Sequence, residues 1–317
     1  TGGGEADYET PDMAKALVPS AFRGYVPARH PALRYGLALN ARGYFLESQE
    51  GLEAVGGAAP PGGPARPLSA AWLPSPPEQG AVNAGQGPKS REVLAALVEG
   101  IDLSKGAMPN MSVAEGRIAG VPTRLFRLSF AGELGFEVNV PAAHGRAVWE
   151  AIFKAGEPFG ITPYGTETMH VLRAEKGYII VGQETDGTAG PDDVNLGWAV
   201  GKNKKDFVGK RSLNRAAFFM PDRKQLVGLL PRDPKVVLEE GAQLVADPGA
   251  AVPVPMLGHV TSAYMSATLG RSIALAMVKG GRSRIGRTLH VPMPKGAIAV
   301  EVVDPVFYDA EGARLDV

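Results

Sequence analysis

Glu137 closes the run Gly132-Glu-Leu-Gly-Phe-Glu137, where Phe136, Val138 and Val140 alternate with polar residues. The alternation predicts a strand with those apolar residues on one face and Glu137 and Asn139 on the other. The glycine turn just before it allows backbone to approach a ligand closely, so the carboxylate is held on a rigid element at a permissive turn. An ionised carboxylate only accepts hydrogen bonds. It pairs best with a planar group offering two parallel N–H donors, such as a guanidinium or the 2-amino/N3 edge of a pterin. Periodicity alone favours a plainer strand glutamate facing water. A second charged constellation lies in Tyr164-Gly-Thr-Glu-Thr-Met-His-Val-Leu-Arg-Ala-Glu-Lys-Gly-Tyr178, followed by Gly182-Gln-Glu-Thr-Asp186 and Pro191-Asp-Asp193. Glu167, Arg173 and Glu175 are more charge than a helix with an apolar stripe carries unless they cap, pair or bind. Spacing does not separate those roles from a solvated face. His30, His144, His170, His259 and His290 have neither paired metal-ligand spacing nor a neighbouring nucleophile motif, so no metal site and no triad is expected. The absence of cysteine excludes thiol nucleophiles, disulfide scaffolds, iron–sulfur clusters and cysteine-type zinc sites.

Several elements must position these groups. Phe126, Leu128 and Phe130 alternate ahead of the Ala131–Gly135 turn, and with Phe136–Val140 they predict an antiparallel strand pair. Val148, Trp149, Ile152 and Phe153 recur at helical spacing over Gly145–Ala155, and a further helix is expected over Thr166–Lys176, with Met169 and Leu172 inward and Gly177 as its stop. Upstream, two short apolar runs around Asn40–Gly43 predict a hairpin within Arg34–Ser48. The Gly/Pro/Ala-rich tract Gly51–Gly87 reads as loop, and a helix is expected over Lys89–Glu99. After Pro221, six short segments, Lys224–Leu230, Gln243–Ala246, Leu257–Ser262, Ile273–Val278, Leu289–Val291 and Ile298–Val303, predict a small β-barrel or sandwich.

Composition narrows the partners. Among 317 residues, 33 basic and 33 acidic side chains give a net charge of +0, so no overall field draws nucleic acid or an anionic membrane. No window approaches the roughly 20 apolar residues of a membrane span. The opening Thr1-Gly-Gly-Gly-Glu-Ala-Asp lacks the layout of a signal peptide, so a cytoplasmic chain is expected. No Gly-x-Gly-x-x-Gly follows a strand, so neither flavin nor NAD is expected on this chain.

Taken in order, Gly132-Glu-Leu-Gly-Phe-Glu137, Leu172-Arg-Ala-Glu-Lys-Gly177, Gly182-Gln-Glu-Thr-Asp186, Leu196-Gly-Trp-Ala-Val200, Asp206-Phe-Val-Gly-Lys210 and Gly258-His-Val-Thr-Ser262 with Thr268-Leu-Gly-Arg-Ser-Ile-Ala-Leu-Ala276 resemble the glycine-cleavage T-protein (aminomethyltransferase) family. The runs Tyr164–Tyr178 and Pro221-Asp-Arg-Lys-Gln-Leu-Val-Gly resemble most its branch in the alpha subunit of heterotetrameric sarcosine oxidase. The resemblance covers about residues 88–317 and implies an α+β cloverleaf: two sheet-and-helix units and a C-terminal β-barrel around a central folate opening. It implies a folate-binding region over 1–222, divergent or shortened over 1–88, and a barrel over 223–317.

In that family Glu137 corresponds to the carboxylate that grips the pterin edge of tetrahydrofolate, and the resemblance extends the folate-binding set to Phe130, Tyr164, Arg173 and Glu175. Arg173 and Glu175 are expected to organise the pocket rather than do chemistry. Phe130 stands where the family usually has tyrosine, which keeps stacking and loses a phenolic hydrogen bond. Met169 replaces an arginine of the glycine-cleavage enzymes, a departure shared with the sarcosine-oxidase branch. The family's proton-handling acid falls in Gly43-Tyr-Phe-Leu-Glu-Ser48, where Glu47 is the candidate catalytic group and Ser48 takes the second acidic place. The implied reaction passes a methylene unit from an oxidised N-methyl amine to tetrahydrofolate, giving 5,10-methylenetetrahydrofolate. Flavin-containing amine-oxidising subunits are the implied partners. The alternatives are a free-standing aminomethyltransferase served by a lipoyl carrier protein, and a non-catalytic folate-binding module.

Overall fold

The computed structural model describes residues 80–317 together with the short strand segments at 38–39, 45–46 and 66–67. The chain divides into two compact units, one holding Glu133–Pro163, Arg314–Val317 and the residues up to Ser129, the other Phe130–Gly132 and Tyr164–Ala313. The boundary at Pro163 and Tyr164 means that the folate-type region expected over 1–222 contributes to both units.

In the first unit, β1 (Ala38–Leu39) and β2 (Phe45–Leu46) pair antiparallel where the hairpin is expected. A six-stranded sheet comprises β3 (Arg66–Pro67), β4 (Gly80–Gln86), β5 (Val98–Glu99), β6 (Ser112–Ile118), β7 (Val121–Arg127) and β8 (Gly135–Pro141). Its order is β3-β6-β7-β8-β4, with β5 paired to β6. Phe136, Val138 and Val140 point into the core beneath α1 (Ser90–Ala95) and α2 (Gly145–Gly156), which contribute Val93, Leu94, Val148 and Ile152. Trp149, at helical spacing with these, is 45% exposed.

Three expectations need correction here. The tract read as loop contains β4, which pairs with β8 through seven register positions from Gly80↔Pro141 to Gln86↔Gly135. Its small residues, Gly-Ala-Val-Asn-Ala-Gly-Gln, have weak intrinsic strand preference, and pairing rather than propensity orders them. The helix expected to reach Glu99 stops at Ala95, because Val98 and Glu99 pair with Ile118 and Arg117. The phase of β7 is shifted by one: Leu125 lies opposite Val138 and shares its core face, while Phe126 lies opposite Glu137 on the other face, and the strand ends before Leu128 and Phe130. A one-residue shift exchanges faces along a strand.

The second unit contains α3 (Thr166–Glu175), α4 (Lys210–Leu213) and a closed antiparallel barrel. Its strands are β9 (Lys224–Pro231), β10 (Gln243–Val245), β11 (Met256–Ser266), β12 (Arg271–Lys279), β13 (Thr288–Val291) and β14 (Ile298–Val303), in the closed order β10-β11-β12-β9-β14-β13. The six apolar segments read from the sequence are these strands. In β12, Ala274, Ala276 and Val278 fill the barrel interior while Ile273, Leu275 and Met277 pack outside it with Ala174 of α3. Burial on both faces is what makes this strand a continuous apolar run.

Candidate functional site

Each unit carries part of the candidate chemistry. In the first, Glu137 is half-buried in the middle of β8, on the face turned away from α1 and α2. Its cross-strand neighbours are Phe126 on β7 and Ala84 on β4. Its carboxylate therefore stands between an aromatic ring and a methyl group on a strand paired on both sides. Asn139, next along that face, donates to the Glu137 carbonyl at 3.2 Å, and beyond it Arg124 pairs with Glu115 at 2.8 Å.

In the second unit, α3 is not arranged as its apolar spacing suggests. Arg173, Ala174 and Glu175 are the buried residues of the helix, and Met169 and Leu172 are only half-buried. Charged residues go inside because each meets a partner. Arg173 and Glu184, both side chains 0% exposed, form an ion pair at 3.0 Å. The Arg173 guanidinium also donates to Ser262 Oγ at 2.6 Å, Tyr264 Oη at 3.3 Å and the Tyr178 carbonyl at 3.0 Å. Ser262 donates to Glu184, and Gln183 donates to Ser262 Oγ at 2.9 Å and to the Thr261 carbonyl at 3.0 Å. The register of β11 shifts between Val260 and Ser262, a bulge that re-aims the side chains around Thr261. Glu175 accepts from Ser266 Oγ at 2.6 Å, and its carbonyl takes the N–H groups of Phe307 and Tyr308.

Just past the helix, Gly177 turns the chain with φ 67°. Lys176 and Asp309 form a buried ion pair at 3.2 Å, and the Lys176 stem lies against Gly132, where an added Cβ would meet Cγ at 2.2 Å. Phe130 stacks on Tyr178 with ring centroids 6.4 Å apart and planes 27° from parallel. Burial, reinforced by Asp309, pushes the Tyr178 phenol pKa up. Tyr164 is exposed and precedes α3.

Of the residues singled out from the sequence, Phe130, Tyr164, Arg173 and Glu175 thus belong to the second unit and Glu137 to the first. Arg173 and Glu175 spend their charged ends on protein partners. Glu47 and Ser48 lie outside the described residues. Among those described, no cluster of histidine, aspartate and glutamate suits a metal ion, and no helix is long and apolar enough to cross a membrane.

Two family models match the chain: the GCVT N-terminal domain over residues 67–204 and the glycine cleavage T-protein C-terminal barrel domain over residues 224–309. The chain belongs to the glycine cleavage T-protein family. The sarcosine oxidase subunit alpha of Corynebacterium sp. (strain P-1) is 51% identical over 242 residues, a match covering 75% of this chain and 25% of that protein. The subunit alpha of Rhizobium meliloti (strain 1021) is 39% identical over 77% of this chain and 25% of its own length. An aminomethyltransferase of Symbiobacterium thermophilum is 35% identical over 72% of this chain and 59% of its own. The chain therefore spans about a quarter of the sarcosine oxidase subunits it matches. The crystal structure of aminomethyltransferase T from Bartonella henselae superposes with a TM-score of 0.61 at 24% identity, over 73% of this chain and 60% of that one, a likeness of fold.

Membership in the T-protein family gives the buried network its meaning as architecture. The Leu172-Arg, Gly182-Gln-Glu and Val260-Thr-Ser motifs are far apart in sequence, yet they are one another's partners. Glu184 and Ser262 lie in motifs that the sequence shows, but nothing in their spacing from Arg173 reveals the contact, and neither is expected there as a site residue. The only available signal was the excess of charge in α3, which demanded a partner.

Proposed function

We propose that this chain is a tetrahydrofolate-binding, one-carbon-transfer module of the sarcosine oxidase alpha-subunit type. The observation that carries the reading is Glu137. It is a half-buried carboxylate on a strand paired on both sides, next to an aromatic ring and a small residue that leaves room. That acceptor fits the 2-amino/N3 edge of a pterin, which presents two parallel N–H donors to one carboxylate. When bound, tetrahydrofolate supplies the nitrogens that take up the methylene unit of an oxidised N-methyl amine, giving 5,10-methylenetetrahydrofolate. The chain's own residues bind and orient. Glu137 fixes the heterocycle, Phe130 and Tyr164 offer ring surface to the ligand, and the buried partners of Arg173 and Glu175 keep α3 in place. Glu47 is the proposed proton-handling group. The amine-oxidising step belongs to flavin-containing subunits that would deliver the one-carbon unit to this module. The 51% relative being a subunit of sarcosine oxidase supports this branch over a free-standing enzyme.

Titration with tetrahydrofolate, comparing the wild-type chain with Glu137→Ala, tests the reading. A charge-assisted pair contributes about 1.5–3 kcal/mol, so the variant should bind roughly ten- to a hundredfold more weakly. Equal binding by both proteins, or binding by neither, overturns it. Faster formation of methylenetetrahydrofolate from formaldehyde, lost in Glu47→Gln, is expected of a catalytic module. Binding without acceleration marks a binding module instead.

A further inference from the structure

The three residues Phe130–Gly132 group with the second unit, while Ser129 before them and Glu133 after them group with the first. So short a piece keeps its place only through contacts with the unit it joins. One is the stack of Phe130 on Tyr178. Another is Lys176, at the C-terminal end of α3, whose methylenes cover Gly132: a Cβ added there would meet Cγ at 2.2 Å, Cδ at 2.5 Å and Cε at 3.0 Å. Gly132 takes φ 82°, and its bare backbone lets the stem lie this close. The stem is fixed at both ends. Its root caps α3, and its ammonium donates to the Asp309 carboxylate at 3.2 Å and to the Asp309 carbonyl. Asp309 presents both acceptors from a left-handed turn at φ 49°, where Gly312 and Ala313 donate back to it at 2.9 and 3.0 Å. A lysine side chain normally keeps much of its rotamer freedom, but this one, 5% exposed and held at root and tip, acts as a rigid bar. An apolar side chain would pack over a glycine without burying a charge, so the anchored ammonium serves placement.

We propose that Lys176 and Asp309 are a positioning pair: the anchored lysine stem fixes the path of Phe130–Gly132, and with it the face that the Phe130 ring offers to a ligand, while neither member of the pair touches that ligand. The inference rests on the folate reading, which gives Phe130 a place at the ligand and gives Lys176 and Asp309 none. Lys176→Met keeps an unbranched stem over Gly132 but frees its tip, and Asp309→Asn suits the left-handed backbone while removing the countercharge. Either change alone leaves a buried charge unpaired, whereas the two together leave none.

The test uses the full chain labelled with 4-fluorophenylalanine, in which the fluorine signal missing from Phe130→Leu reports on that ring. In Lys176→Met, Asp309→Asn and the double variant this signal should shift before any ligand is added, and tetrahydrofolate should bind about three- to tenfold more weakly. The double variant should melt close to wild type. Leu229→Ala, destabilised inside the barrel, should leave both the signal and the affinity unchanged, which separates placement from stability. If wild type binds and the double variant shows an unshifted Phe130 signal or undiminished affinity, this inference falls while the folate reading stands. An equal shift in Leu229→Ala overturns it as well. If wild type does not bind, both fall.

Discussion

A buried ion pair is informative mainly through what happens when it is broken. Arg173 and Glu184 are both fully buried, and the Arg173 Nε has no hydrogen-bond partner, so the guanidinium depends on Glu184 for its only countercharge among the described residues. Removing one member leaves an uncompensated charge in the interior, at a typical cost of about 3–5 kcal/mol, whereas exchanging both for apolar residues of similar size is often close to neutral. Glu184→Leu should therefore lower the urea midpoint strongly, and the double variant Arg173→Met/Glu184→Leu should recover most of the loss. The recovery cannot be complete, because Ser262, Tyr264 and the Tyr178 carbonyl also lose a donor. A double variant as unstable as the single one would mean that these hydrogen bonds, rather than the charge pair, hold the helix.

At the scale of the element, Gly132 joins two of them. It sits at φ 82°, and the Lys176 stem occupies the space a side chain would need, with the added Cβ 2.2 Å from Cγ and 2.5 Å from Cδ. Gly132→Ala should cost about 1–3 kcal/mol through backbone strain and the displaced lysine, read as a lower melting temperature. Relief of the clash by Lys176→Ala should not rescue it fully, because that change also breaks the ion pair with Asp309. Full rescue would show that the strain at φ 82° is negligible. The turn was legible as glycine-rich, but not what crosses over it. The same limit runs through the fold. The barrel strands could be read because burial on both faces writes them as unbroken apolar runs, as in Ile273–Val278. The strand Gly80–Gln86 could not, because its residues are small and it is ordered by pairing with Gly135–Pro141. Glu137 was legible as a strand residue on the polar face. Its neighbour Phe126 was not, because an aromatic on the face away from the helices reverses the apparent phase of its strand.

Across the molecule, apolar burial is concentrated in separate cores: one under α1 and α2 in the first unit, one inside the barrel and one between the barrel wall and α3. Leu229 is fully buried in the barrel interior with Val227, Val260, Ala276 and Val302. A buried leucine replaced by alanine loses its transfer free energy and leaves a cavity, together about 2–5 kcal/mol. Barrel strands pair in a closed ring with no free edge, so a cavity at one wall weakens all six strands rather than one. Hydrogen exchange on Leu229→Ala should therefore speed up together in all six barrel strands, β9 to β14. In β7 and β8, whose core is formed by other residues, protection should remain near the wild-type level. If exchange accelerates equally in both units, they open as a single cooperative body, and the energetic independence of the two cores is wrong. If it accelerates only in β9, the barrel does not behave as a closed ring, and the ladder from Gln225 to Leu229 along β12 must open by itself.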